Sequence, residues 1–186
     1  SGAAGAVGSV AAQVAKARGM KVVGIAGSEQ KCKWLEQELK LDGVINYKKE
    51  EVAKGLKRCC PNGVDAYFDN VGGKTLETVL TEMNRFGRIA FCGAIADYNE
   101  GEGAPMAVKQ YQMILMRRLK VQGFVCMDHM GQMMTCFAEL LDLYTQGKMK
   151  IQEHVEETTI SDYPRVVRML YSGANKGKLM MKVASE

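Results

Sequence analysis

The chain lacks several things, and each absence excludes a class of function. No apolar run approaches the roughly 20 residues that cross a bilayer. No charged region stands ahead of the N-terminal apolar stretch, so neither a signal peptide nor a membrane partner is expected, and a cytoplasmic location is. Only two histidines are present, His129 and His154, and neither has a cysteine at ligand spacing. Metal binding is therefore not expected. The six cysteines (Cys32, Cys59, Cys60, Cys92, Cys126 and Cys136) include no CxxC pair and lie within apolar runs, which suits reduced thiols rather than a disulfide framework. No stripe of lysine and arginine interleaved with aromatics exists. The net charge of +4 then reads as a solvated surface, with no nucleic-acid partner. One basic cluster, Lys54 to Arg58, falls on a helix face and needs no ligand.

What is present is an ordinary globular composition: 47% hydrophobic and 25% charged over 186 residues, enough for one domain and an appendage. Thirteen methionines at helical spacing suit core and interface. Short strand-like runs alternate with amphipathic helices. After the opening "SGAAGAVGSVAAQVAKARG", Val7, Val10, Ala11 and Val14 share a helical face that Gly19 closes. "MKVVGIAG" reads as a buried strand, and Ser28 as the N-cap of a helix carrying Cys32, Leu35 and Leu39. Strand "GVINY" follows, then a helix with Val52, Leu56 and Cys59. "VDAYFDNVGG" is a strand entering a glycine turn. A helix with Leu76, Val79, Leu80 and Met83 leads to strand "GRIAFCGA".

The polar stretch from Asp97 to Pro105 reads as a surface loop. Beyond it lie a helix near Val108 to Met116, strand "LKVQGFV", and a helix with Met133, Met134, Phe137, Leu140, Leu141 and Tyr144 on one face. This alternation predicts an α/β fold: a doubly wound, Rossmann-type parallel sheet with helices on both faces and its first strand truncated. The character changes near Ile151, where strand "EHVEETTI", helix "YPRVVRMLYSG" and "GKLMMKV" follow. The chain thus divides into residues 1–150, a dinucleotide-binding domain, and 151–186, a C-terminal segment.

Gly5 and Gly8 complete a G-x-G-x-x-G fingerprint whose first position is Ala3. Gly5 lets the backbone approach a pyrophosphate, and Gly8 lets the next helix pack on the sheet. The helix N-terminus supplies amide donors and a positive dipole end. An NAD site carries an acid about 20 residues on, bonded to the ribose hydroxyls. Here "GIAGSEQK" puts Gly27 and Ser28 at that place. Losing the carboxylate removes repulsion against a 2′-phosphate, to which Ser28 and Lys31 can donate. NADP(H) is the expected cofactor; Glu29 is the awkward acid here, and from the helix start it could point into solvent. An ordinary capped helix start fits the same residues.

Together "SGAAGAVGSVAAQVAK", "VVGIAGSEQK", "INYKK", "YFDNVGG", "GRIAFCGAIADYN" and "GANKGK" resemble the prostaglandin reductase branch of the zinc-independent medium-chain dehydrogenase/reductases, which includes alkenal double-bond reductases. The resemblance runs essentially end to end. It implies an NADPH-dependent reductase of the carbon–carbon double bond of α,β-unsaturated ketones and aldehydes. It places Ala6 and Val7 at the pyrophosphate, and Lys31 and Tyr47 at the 2′-phosphate. Asn70 comes near the ribose or nicotinamide, and Cys92 and Tyr98 bracket a loop beside the adenine and substrate. Phe124 and Val125 hold the carboxamide through backbone groups, and Asn175 reaches the cofactor from the C-terminal segment. Tyr98 is the expected catalytic donor to the enolate.

Each residue also has a plain alternative: Tyr47 as a strand end, Asn70 as a turn residue, Phe124 as core, Tyr98 as an incidental loop residue and Asn175 as a helix terminator. The resemblance further implies an N-terminal substrate domain with no counterpart in these residues, so that this chain alone binds cofactor without reducing an enone. It implies a homodimer through the strand around Leu119 to Met127. A quinone oxidoreductase and a non-enzymatic NADP-binding module are the competing functions.

Overall fold

The computed structural model describes residues 1–98 and 108–183. Helix α1 (Ala6–Ala17) starts from an extended Gly5, and glycine at 19, with φ +79°, turns the chain after it. Strand β1 (Val23–Ala26) leads to α2 (Glu29–Gln37), whose first turn is capped by the Ser28 hydroxyl accepting from Lys31 N at 3.3 Å. Then follow β2 (Gly43–Asn46), α3 (Val52–Cys59), β3 (Val64–Asp69), α4 (Gly73–Glu82) and β4 (Met83–Phe91). Helix α5 (Gln112–Arg117), β5 (Lys120–Gly123), a 3-10 turn (Cys126–Gln132) and α6 (Met133–Thr145) come next. The last elements are β6 (Glu153–Thr158), α7 (Tyr163–Ser172) and β7 (Lys178–Val183).

Every strand pair is parallel, as helical crossovers require. β1 pairs β2, β4 lies between β3 and β5, and β6 pairs β7. Residues 1–3 connect the first two sheets at their C-terminal ends: Ala3 N donates to Ile25 O at 3.1 Å, and Ser1 N to Phe68 O at 2.9 Å. That junction sets the C-terminal ends of β1 and β3 at one level. Leu35, Ile45, Val79, Leu80, Met83 and Ile89 are fully buried between helices and strands. Burial of each contributes about 1.5–3 kcal/mol.

The architecture is the parallel α/β arrangement read from the alternation, with several differences of detail. Strand β4 begins at Met83 rather than Gly87, because its first half pairs Val64 in a shifted register. Helix α5 begins at Gln112, four residues after the expected start. The buried face of α1 is Gly8, Ser9, Ala12 and Gln13, while Val7 is exposed. Gln13 explains this face. Its side chain spans both backbone groups of Lys150, donating to the carbonyl at 3.0 Å and accepting from the amide at 2.6 Å. All four residues of strand β5, the strand that the resemblance assigns to a dimer contact, are exposed. Helix α6 forms as expected, but Met133, Met134, Phe137, Leu141 and Tyr144 are exposed. Met83 and Met149 are in the core, whereas Met116, Met127 and Met130 are not. The loop expected from Asp97 to Pro105 lies outside the described residues beyond Tyr98.

The C-terminal strands dock on the opening loop. Gly177 N donates to Ala4 O at 2.8 Å, and Gly5 and Gly177 form a parallel bridge.

Candidate functional site

A cleft of about 1050 Å³ opens at the C-terminal ends of β1 and β3, where parallel α/β sheets hold ligands. Its floor is the Gly2–Gly8 loop and the start of α1. Lys31 and Tyr47 stand on one side, Asn70 to Gly73 on the other, and the turn around Asn175 closes over it.

The loop is shaped by close backbone approach. Gly2 adopts φ +58°, and Gly5 N donates to its carbonyl at 2.9 Å. A Cβ at Gly8 would stand 2.3 Å from that same carbonyl oxygen. The helix start therefore rests on the loop's own backbone. That contact, rather than helix–sheet packing, is what requires glycine at position 8. Gly2 takes the tight turn that the fingerprint assigns to Ala3, and a glycine three residues before Gly5 was its only trace in the sequence. The first-turn amides of α1 have no intrahelical acceptor, and no acidic residue lies in that turn. The positive helix end is thus open to an anion.

At the end of β1, Glu29 turns away from the cleft to pair with Lys49 at 2.5 Å and Lys33 at 3.3 Å. Hydrogen bonds from Lys49 and then Lys33 hold its carboxyl below the usual range. The awkward acid is thereby neutralised outside the site. Lys31 reaches across to donate to Gly173 O at 2.6 Å. Partial burial, then the Lys48 charge, lowers its pKa from the ordinary lysine value. Two of its three N–H donors have no partner among the described residues. Tyr47 is half-exposed and is tied at its backbone to β1 through Ala26 O at 3.1 Å.

Opposite, Asp69 is wholly buried, and its Oδ1 accepts from the Ser1 hydroxyl (2.8 Å), the Tyr67 hydroxyl (2.9 Å), Val71 N (3.0 Å) and Gly72 N (3.1 Å). Burial, then the Asp69 charge, raises the Tyr67 pKa well above the phenol range, so it stays a donor. Asn70 closes the ring: its amide N donates to the Ser1 hydroxyl and its Nδ2 to Ser1 O, both at 2.9 Å. This cluster holds the opening loop against the glycine turn after β3. Ser1, Tyr67 and Asp69 lie within the quoted stretches "SGAAGAVGSVAAQVAK" and "YFDNVGG", but neither spacing nor resemblance gave them a role.

Of the residues proposed from sequence, Gly5, Ala6, Val7, Gly8, Lys31, Tyr47, Asn70 and Asn175 line this one cleft. Asn175 is buried and donates to Gly177 O at 3.0 Å, bracing the turn beside Ala4. Ser28, Cys92, Tyr98, Phe124 and Val125 do not line it. Ser28 spends its hydroxyl oxygen on the α2 cap. Cys92 N donates to Asp69 O at 2.8 Å, and burial pushes its thiol up. Phe124 packs edge-on to Phe68 at 6.0 Å, with its amide N donating to Phe91 O, and Val125 is exposed. Tyr98 is exposed, its Oη accepting from Ala94 N at 3.1 Å.

Among the described residues no group of three or more histidine, cysteine, aspartate or glutamate side chains is placed to hold a metal ion, and no helix is long and apolar enough to cross a membrane.

Comparisons with known proteins give the family and the fold. A zinc-type alcohol dehydrogenase-like protein of Schizosaccharomyces pombe is 43% identical over 187 residues, covering 100% of this chain and 52% of that protein. Prostaglandin reductase 1 of Bos taurus is 40% identical over 185 residues, covering 98% of this chain and 55% of that protein. The crystal structure of CurA in complex with NADPH from Vibrio vulnificus superposes with a TM-score of 0.89 at 35% identity, over 99% of this chain and 56% of that one. The chain therefore spans about half the length of the relatives it matches. Residues 6–146, from the helix start in the cleft to the end of α6, match the family described as zinc-binding dehydrogenase, and the chain belongs to that family of medium-chain dehydrogenase/reductases.

Proposed function

We propose that this chain is the NADP(H)-holding part of a reductase acting on the carbon–carbon double bond of α,β-unsaturated ketones and aldehydes. One observation carries the cofactor reading. The acid-free start of α1 faces the same cleft as Gly27, Lys31 and Tyr47, a set with a cation and a phenol but no carboxylate. Ala6, Val7 and Gly8 would hold the pyrophosphate through backbone amides, and Lys31 and Tyr47 the 2′-phosphate. Asn70 and Asn175 would flank the ribose and nicotinamide end. Phe124 and Val125 lie at the end of the β4–β5 pair, where their backbone groups would meet the carboxamide.

When bound, the cofactor supplies a hydride to the β-carbon of the substrate. What the chain adds is position and a proton. Negative charge develops on the carbonyl oxygen, and a phenol donor lowers the cost of that charge. Tyr98 is the proposed donor, and the proton added at the α-carbon comes from it or from water. Its hydroxyl already accepts from Ala94 N, which leaves its own proton free to donate. The edge strand β5 with its flanking residues, from Leu119 to Met127, is the proposed contact with a second copy.

Calorimetric titration of this chain with NADPH and NADH tests the cofactor reading: NADPH should bind at least tenfold tighter, on the order of one charge-assisted contact. Equal affinities would overturn it. Turnover is assigned to the whole protein, assayed by NADPH oxidation with an enone, a quinone and a saturated aldehyde. Activity on the enone supports the reading, and activity on the quinone alone would replace it. Enone reduction by the isolated chain would overturn the division of labour. In the whole protein, Tyr98→Phe should lower kcat with little change in NADPH affinity, and unchanged kcat would remove Tyr98 from the mechanism.

A further inference from the structure

Gly27 stands at the C-terminal end of β1, where sites that hold an unphosphorylated ribose carry an acid. Its backbone is not in the left-handed region, so any L-residue fits the main chain there. The reason for glycine lies in its surroundings. A Cβ at position 27 would stand 2.5 Å from the Tyr47 Oη, 2.6 Å from Cζ and 2.7 Å from Cε1. The end of the Tyr47 ring thus occupies the volume that the first atom of any side chain at 27 would need. Tyr47 cannot yield by moving its backbone, because its amide is bonded to Ala26 O. It can yield by rotating its side chain, which is about half exposed, at 51%.

We propose that Gly27 is a specificity-determining residue acting through Tyr47: the missing side chain is the seat of the phenol ring. A carboxylate at 27 and a phenol over 27 exclude one another in space. The two solutions to the ribose, acid for a diol and donors for a phosphate, therefore cannot be mixed at this site. The Tyr47 hydroxyl has no hydrogen-bond partner among the described residues, and it faces the cleft that Lys31 also lines. Seated over Gly27, it is a donor held ready for an anion; displaced into solvent, it is lost to the site. The proposal rests on the reading of the cleft as an NADP(H) site.

The test is a double-mutant cycle on the full 186-residue chain, with NADPH and NADH affinities read by calorimetry. Gly27→Ala should weaken NADPH roughly tenfold, as Tyr47→Phe should, the size of one lost hydrogen bond to a charged group, while NADH affinity stays unchanged. The double variant should be no weaker than either single one, because a displaced ring gains nothing from its hydroxyl. A crystal structure of unliganded Gly27→Ala should show the Tyr47 ring rotated off position 27. NADPH affinity unchanged by Gly27→Ala, or losses that add in the double variant, would overturn the role of Gly27.

Should Gly27→Ala alone fail to fold, the Tyr47→Ala background decides. There Gly27→Ala should be silent in melting temperature and in NADPH affinity, and a further loss of either overturns the proposal. A wild-type chain with no preference for NADPH is a different failure. It removes the cofactor reading itself, whereas the ring position in the unliganded variant still reports whether glycine is the seat of Tyr47.

Discussion

Asp69 shows how a single residue can organise the site without touching a ligand. One carboxylate oxygen gathers the Ser1 and Tyr67 hydroxyls and two amides of the glycine turn, while Oδ2 is buried without a partner among the described residues. Such an oxygen is costly, so the cluster persists because the other contacts outweigh it. Asp69→Ala strands four donors and should cost about 3 kcal/mol of stability, measured by denaturant unfolding. A loss below about 1 kcal/mol would show that the cluster is dispensable. At this scale the sequence was legible where a residue acts through its own backbone. Gly5 belongs to that class, whereas at Gly8 and Gly27 the sequence marked the glycine but not the Gly2 carbonyl or the Tyr47 ring that requires it. It was silent where the partner lies far along the chain: Ser1 meets Asp69 across 68 positions, and Lys31 meets Gly173 across 142.

Among the elements, α1 carries the clearest lesson. Its valines read as the buried face, yet Ser9 and Gln13 are buried instead. Hydrophobic periodicity ranks side chains by polarity, and it has no means of knowing that Gln13 will stand in for a strand partner to Lys150. Gln13→Ala leaves both Lys150 backbone groups without that partner and should cost about 2 kcal/mol. Faster hydrogen exchange should appear in β6 and β7, which Lys150 leads into, and not in β3 or β4. Uniform exchange would refute a local tether. The start of β4 escaped for a related reason: Phe86 sits at φ +63°, and the strand's first half is irregular. By contrast α2, α3 and α7 appear close to the expected boundaries, since caps and turns there are local: Ser28 for α2, and Pro164 and Gly173 for α7.

At the scale of the molecule, the exposed apolar surface is concentrated late in the described residues. Val121, Val125 and Met127 are exposed along β5 and just beyond it, and Met134 and Phe137 are exposed on α6. An open apolar edge strand is a template for pairing. If β5 is covered by a second copy, sedimentation equilibrium should give a dimer. Val121→Lys should then shift it to monomer without lowering the melting temperature of the monomeric unit. Monomers alone in the wild type would refute that assembly.

The order of elements, their parallel sense, the phosphate-type loop and the missing acid after β1 were all determined by the sequence. Each depends on local spacing, on turn chemistry and on the handedness of crossovers. Only the tertiary structure decided which of the candidate residues meet. It joined the 173–177 turn to the opening loop, turned Glu29 outward, seated the Tyr47 ring over Gly27 and hung the Ser1 loop from Asp69. Those are contacts between distant segments, selected by packing and by the need to pair buried polar groups. A single sequence carries no local record of them.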